Sequence, residues 1–591
     1  MGESDFRVSK DFSGGTPPVS KGVGVGALTG ADEQSPASAH GAGSANQGDL
    51  PRSGITSLTG LAKGVARAIA QPGPLTSEIA GLVGNVASVL KGTEGFDPGP
   101  RDRRFSDPAW RGNPLYRRWM QGYVALASTL NSLVDHLEET DTDWRDIERS
   151  RFAVGVLNSA LSPTNYLPGN PAALKTAFDT FGVSLARGAR NFADDVRHNR
   201  GFPEQTDRSA FTVGEDLALT PGSVVYRDEV VELIQYAPST ETTYERPLMI
   251  LPPPIGRYYF LDLRPGRSFV EYAVSRGITV FMISWRNPTP DQRDWDADTY
   301  AGAALHCIDV ITEITGSEEI NSLGFCAGGI LQTLLLNHMA TVGDQRINSA
   351  SYAVTLLDFH ERAPLGAFSA PRLLEMASNS SDKDGIITAA SLATMFNLMR
   401  PDDLIFNYVV SNWLMGQDPP VFDILAWSVD GTNLPAALHR QFLQVFKDNA
   451  MCKDGELTVL GSPVRLKQID VPMFVTGAIT DHLTPWTGCF RTTQLLSGPS
   501  TYVLSNAGHI ASLVNPPGNP KASYFMGGPP NGTAEEWRAG ATQYTGSWWE
   551  PWADWVGERA GERVPATRTV GSGKYPPLVD APGLYVRDLT P

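Results

Sequence analysis

The sequence predicts an α/β fold: a mostly parallel, doubly wound sheet preceded by a mainly helical region. Three observations carry this. From residue 211 onward, short apolar runs alternate with helical patterns, as strand–helix–strand crossovers do. One run, 320–325, leads directly into Gly324-Phe325-Cys326-Ala327-Gly328 and then a helical pattern over 329–339. About 110 residues separate the run ending at Leu357 from the one starting at Val471, far longer than an ordinary αβ connection, which implies an inserted cap over about 358–470.

Each part has its own reason. Residues 1–53 are rich in Gly, Ser, Ala and Pro and poor in large apolar side chains, so they are expected to form a disordered tail. Ile55, Leu58, Leu61, Ala62, Val65 and Ile69 recur at helical spacing, as do Leu75, Ile79, Leu82, Val83, Val86 and Leu90. Two readings of these stand: helices packed on the body, or helices that adsorb reversibly to an apolar surface. Residues 104–200 continue the helical pattern, so 54–210 is read as a helical domain with a linker near 202–212. Residues 211–591 are read as the catalytic domain, with strands over 224–236, 247–251, 278–283, 320–325, 351–357, 471–476 and 501–505.

The chain has 591 residues, 41% of them hydrophobic, a net charge of −16 and a pI near 5.1. That charge argues against nonspecific binding to nucleic acid or to an anionic membrane. The four cysteines, Cys307, Cys326, Cys452 and Cys489, show no Cys-x-x-Cys spacing, so no metal site and no disulfide framework is expected, and the usage fits a reducing cytoplasm. The opening residues lack the apolar run of a signal peptide, and no stretch reaches 18 apolar residues; no transmembrane segment is expected.

The turn Gly324–Gly328 matches the Gly-x-Ser-x-Gly nucleophile elbow except that a thiol replaces the hydroxyl. An elbow needs glycines on both sides because side chains would clash there. The Ala327 N–H then faces a developing oxyanion at the start of a helix, and Ile255, after the run 247–251, is assigned as the second oxyanion donor. In α/β-hydrolase folds the nucleophile, acid and histidine come in that order. Cys326, Asp481 and His509 do so, the last two just past the predicted strands 471–476 and 501–505. The fold class is therefore an α/β-hydrolase fold with an inserted cap. His482 beside Asp481 is expected to support the site, His338 to pack within the elbow helix, and His360 to be a rival base. Cys307, Cys452 and Cys489 lack any such turn.

Beyond the triad, residues 252–263 (PPPIGRYYFLDL), 284–288 (SWRNP), 324–329 (GFCAGG), 407–410 (NYVV), 481–486 (DHLTPW), 508–510 (GHI) and 546–549 (GSWW) resemble the polyhydroxyalkanoate synthases of the long, single-subunit type (class I or II). The likeness runs over about 200–585; Pro254-Ile255-Gly256 departs from the family's usual Trp-Ile-Asn. The resemblance implies polymerisation of (R)-3-hydroxyacyl-CoA with release of CoA, no cofactor beyond that thioester substrate, an active homodimer, and association with a cytoplasmic polymer granule. It carries the nucleophile onto Cys326, the base onto His509 and the acid onto Asp481, Arg400 onto a position linked to the CoA channel, and Asn449 onto one that steadies intermediates.

A thiol suits this chemistry. Transfer from CoA to Cys326 exchanges one thioester for another, so the acyl group stays activated until a hydroxyl takes it. Two routes to that second step stand: Asp481 deprotonates the 3-hydroxyl, or His509 does so with Asp481 orienting it. Water must be excluded, and Phe406, Tyr408, Trp413, Phe422 and Trp427 of the cap either line an acyl tunnel or form ordinary cap core. Two other readings of the chain are a thioesterase or depolymerase on the same fold, and a non-catalytic granule coat.

Overall fold

The computed structural model describes residues 96–99, 102–360, 362, 364–369 and 371–588. The expected tail over 1–53 and the two amphipathic patterns over 55–90 lie outside the described residues.

The core is an eleven-stranded sheet. In chain order its strands are β1 (Gly222–Arg227), β2 (Val231–Tyr236), β3 (Leu248–Leu251), β4 (Val280–Trp285), β5 (Ile320–Phe325), β6 (Ile347–Ala353), β7 (Met473–Ala478), β8 (Ser500–Ser505), β9 (Ser523–Met526), β10 (Thr542–Thr545) and β11 (Val579–Asp580). Across the sheet they run β10-β9-β8-β7-β6-β5-β3-β4-β2-β1-β11. β3 through β8 are parallel, and β2, β1, β9, β10 and β11 pair antiparallel at the edges. Strands β3, β4, β5 and β7 are buried along their whole length, as parallel strands covered on both faces must be.

One apolar layer packs helices Ala297–Thr315, Ala327–Val342 and Ala436–Asp448 on the sheet. The other packs Tyr258–Leu261, Phe269–Ser275 and the Trp-rich helix Trp549–Gly557. There Phe269 lies 4.6 Å from Trp552, ring to ring, and the Trp552 indole donates to the Ser351 hydroxyl at 3.1 Å.

Two strands differ from expectation. The run 224–236 is a hairpin: the Asp228 carboxylate accepts the N–H groups of Val230 and Val231 at 2.7 and 2.8 Å and turns the chain between β1 and β2. The strand expected over 351–357 runs Ile347–Ala353 instead. Asn348 and Ser349 disguised its start; both bond to Asn321 Oδ1 on β5. Its end comes early because Val354 turns to φ 46° and leaves the sheet.

The helical region contains Pro114–Glu138, Trp144–Leu161, Pro171–Asp179 and Val183–His198. These pack on the insertion between β6 and β7. The Arg362 guanidinium pairs with Glu148 at 2.5 Å and with Glu138, and Arg104 pairs with Asp402 at 3.1 Å. The Trp413 indole donates to Asp195 at 2.7 Å, with the Phe192 ring 5.0 Å away. The expected linker is pinned too: Gln205 donates to the Leu404 carbonyl at 2.6 Å and Thr206 to that of Pro420 at 2.8 Å. No helix among the described residues is long and apolar enough to cross a membrane.

The closest approach in this packing is at Gly188, where an added methyl would sit 1.9 Å from the Trp413 carbonyl oxygen. Gly188→Ala is predicted to destabilise the protein by about 1–3 kcal/mol, the usual cost of overpacking, measured by urea unfolding.

Candidate active site

Six parallel strands end on one side of the sheet, where sites on such sheets form. Cys326 immediately follows β5 and adopts φ 49°, ψ −121°, a strained conformation for a residue with a side chain. Its surroundings enforce it. A Cβ on Gly324 would meet the Gly329 Cα at 2.6 Å, one on Gly328 the Leu251 carbonyl oxygen at 2.2 Å, and one on Gly329 the Thr355 hydroxyl at 2.2 Å. The Cys326 N–H donates to the Ala353 carbonyl at 2.9 Å, and the Cys326 carbonyl accepts from Gly329 N–H at 2.9 Å and Thr355 Oγ at 3.2 Å. Ala327 is the first residue of the following helix.

Asp481 lies three residues past β7, and His509 opens the short helix His509–Leu513 after β8. His509 Nδ1 donates to Asp481 Oδ2 at 2.6 Å, and Cys326 is near enough to His509 to act on its charge. Residues far apart in the sequence thus meet: Asp481 and His509 are bonded, and Cys326 lies beside them. Asp481 accepts three further bonds: Oδ1 from the N–H groups of Leu483 and Thr484 at 2.8 and 2.9 Å, and Oδ2 from the Thr484 hydroxyl at 2.7 Å. Its side chain has no exposed surface.

Burial opposes charge on both partners, and their pairing wins. Asp481 is held below the ordinary carboxylate value: burial raises it, but His509 and the Thr484 donors outweigh that. Burial likewise lowers His509, while Asp481 and Cys326 raise it further, to about 10. His482, beside the pair, is lowered to about 4 by burial and by the Arg400 charge, so it is neutral at pH 7.

The other expected residues sit as follows. Ile255 lies on the loop after β3, whose start packs on the elbow at Leu251–Pro252. Arg400 ends the helix Ala389–Met399, holds Asp403 at 2.5 Å and remains half exposed. Asn449 is buried. At φ 51°, it accepts the Phe359 N–H at 2.8 Å and donates to Asp358 at 2.8 Å, with His360 at 2.7 Å, so it braces the chain after β6. His360, the rival base, is engaged there and not with Cys326. His338 packs against Ser462 at 2.9 Å. Cys307 and Cys489 are buried, and Cys452 points at the Leu357 carbonyl. Of the five cap aromatics, Trp427 joins the apolar cluster against which Cys326 packs; Trp413 belongs to the helical interface, and Phe422 is exposed beneath Arg267.

Thr484 and Thr355 were missed. The first sits three residues after Asp481, a spacing at which hydroxyls commonly bond an Asp side chain in turns; the second has no comparable signal in the sequence.

The stabilisation from a raised His509 is complete below the ordinary imidazole value of about 6.5 and is lost as pH climbs through the raised value. That from a lowered Asp481 is present above about 3.9 and is lost as pH falls through the lowered value. The stability advantage of the unmodified protein over Asp481→Asn, from urea unfolding, is therefore predicted to be greatest near about pH 5–6 and to shrink steadily toward pH 10.

Comparison with known proteins agrees with this geometry. Residues 101–273 match the family model described as the poly-beta-hydroxybutyrate polymerase (PhaC) N-terminus, and residues 264–516 match the alpha/beta hydrolase fold. Poly(3-hydroxyalkanoate) polymerase 1 of Ectopseudomonas oleovorans is 41% identical over 88% of this chain and 93% of its own. The poly(3-hydroxyalkanoate) polymerase of Methylorubrum extorquens is 39% identical over 83% and 81%, and the poly(3-hydroxyalkanoate) polymerase subunit PhaC of Cupriavidus necator is 37% identical over 92% and 93%. With an α/β-hydrolase fold, a cysteine elbow and relatives matched over nearly their whole length, this chain belongs to the poly(3-hydroxyalkanoate) polymerase family of acyltransferases.

Proposed function

We propose that this chain polymerises (R)-3-hydroxyacyl-CoA into polyester with release of CoA, holding the acyl group as a thioester on Cys326. The observation that carries this is the buried 2.6 Å hydrogen bond between His509 and Asp481 beside Cys326, next to an elbow that presents a thiol.

With the proton of the pair resting on His509, whose pKa is raised to about 10, the Cys326 sulfur attacks the thioester carbonyl as the thiolate. The N–H groups of Ala327 and Ile255 bind the oxyanion. The C–S bond to CoA then breaks, and His509 returns the proton to the departing sulfur. In the second half the 3-hydroxyl of a monomer or chain end attacks the Cys326 thioester, its proton passes to the base, and Cys326 leaves as the thiol with that proton. Between the two bases open to the sequence, the surroundings of Asp481 support His509. A carboxylate that accepts four hydrogen bonds, exposes no side-chain surface and has a lowered pKa is a weak base, but it fixes the imidazole tautomer well. The thioester brings its own activation, so the scheme draws on no cofactor. Arg400, half exposed and near His482, suits a CoA phosphate. Exposed Leu115, Phe178 and Phe181 on the helical region support contact with an apolar polymer, and the homodimer belongs to the same proposal.

The test is thiol release from (R)-3-hydroxybutyryl-CoA together with analysis of the product. Insoluble polyester and free CoA are expected, with Cys326→Ala lowering the rate at least about 10³-fold. Free hydroxy acid without polymer would favour a hydrolase instead; CoA release undiminished in Cys326→Ala would contradict the covalent route.

A further inference from the structure

The loop that carries Ile255 is held by the sheet at its start, where the Trp285 indole donates to the Pro252 carbonyl at 2.9 Å, and by the insertion beyond. The Thr432 hydroxyl accepts the Gly256 N–H at 2.7 Å and donates to the Pro254 carbonyl at 3.0 Å. The Trp427 indole donates to the Arg257 carbonyl at 2.7 Å, and Tyr259 donates to Asp430 at 2.9 Å. Gly256 has φ 102°, and a Cβ there would lie 3.2 Å from the Trp427 ring, which accounts for glycine at this point in the departing Pro254-Ile255-Gly256. Within that tripeptide Pro254 has no N–H and the Gly256 N–H is taken, so the Ile255 N–H is the one donor that makes no hydrogen bond among the described residues. Thr432 itself is buried, 4% exposed.

We infer that Thr432 is a positioning residue for the proposed acyl transfer: by bridging Pro254 and Gly256, its hydroxyl keeps the Ile255 N–H in place as second oxyanion donor and makes that donor depend on a seated insertion. This rests on the acyl-transfer reading above. Removing the hydroxyl leaves a part-buried N–H and a buried carbonyl without their partner, a state that backbone groups avoid by shifting. A shift of the turn moves the donor, and oxyanion donors act chiefly on the transition state.

The experiment compares Thr432→Val and Thr432→Ser with the unmodified full chain. CoA release from (R)-3-hydroxybutyryl-CoA is measured alongside alkylation of Cys326 by iodoacetamide, with Cys326→Ala as the blank for both. Alkylation is the control because the sulfur displaces iodide from a saturated carbon and no oxyanion forms. Thr432→Val is expected to lower kcat about 10- to 100-fold, short of the 10²–10³ for outright loss of a donor, with KM within about threefold and alkylation within about twofold. Thr432→Ser, which keeps the hydroxyl, is expected to stay within about threefold of the unmodified kcat. Unchanged kcat in Thr432→Val, or equal losses of kcat and alkylation, would overturn the inference while leaving the nucleophile assignment standing. An unmodified chain that releases no CoA, or a Cys326→Ala variant that releases it as fast, would overturn the acyl-transfer reading and this inference with it. Should Thr432→Val not fold by circular dichroism, Trp427→Phe removes the neighbouring bond to Arg257; a severalfold fall in kcat at unchanged KM supports the inference, and no change overturns it.

Discussion

Between Asp481 and His509 lies a 2.6 Å hydrogen bond closed off from solvent, and much of the site is arranged around it. In water such a pair would be weak, because solvent competes for both groups. Here the carboxylate is desolvated but compensated, accepting two backbone N–H groups and the Thr484 hydroxyl besides the imidazole. That compensation lets the charge persist in a dry place, and the charge in turn holds His509 toward Cys326. The carboxylate is thus held ionised and fixed in place.

The sheet makes this pair useful. Cys326, Asp481 and His509 come from three different strand ends, and β5, β6, β7 and β8 are neighbours in the sheet, so residues far apart in the chain are brought within reach by parallel register. The elbow adds the third requirement. Gly324, Gly328 and Gly329 let β5, the β3 loop and Thr355 approach so closely that no side chain fits between them, and this crowding holds Cys326 in its strained conformation. The insertion then reaches back toward the same loop: Trp427, like Cys326, packs against the apolar cluster on that face of the sheet, and Thr432 grips the loop of Ile255. The helical region grips the insertion in its turn, through Arg362, Arg104 and Trp413.

Much of this was legible before any coordinates, for physical reasons that differ by element. The central strands announce themselves because both faces are buried and only apolar residues suit them. The elbow is legible because its glycines are sterically compelled, and the triad because its order and its places after strands constrain each other. What was hidden is polar and tertiary. β6 begins with Asn348 and Ser349, which bond to Asn321 on the next strand and so break the apolar pattern. The hairpin between β1 and β2 turns on one aspartate side chain. Asn449 bonds the chain after β6, contacts that no local pattern announces, and Thr432 lies in a stretch with no local pattern at all. Strands β9, β10 and β11, at or next to the sheet edges, are short and not buried, so periodicity had little to register.

The central claim is that Cys326 carries the acyl group between CoA and the acceptor hydroxyl. The most direct measurement is acid quenching during turnover of (R)-3-hydroxybutyryl-CoA, followed by proteolysis and mass spectrometry of the peptide spanning the elbow. The account predicts a mass increment of one or more hydroxybutyryl units on Cys326, removed by neutral hydroxylamine as a thioester is. Steady CoA release with that peptide unmodified, or with the acyl group on another residue, would contradict it.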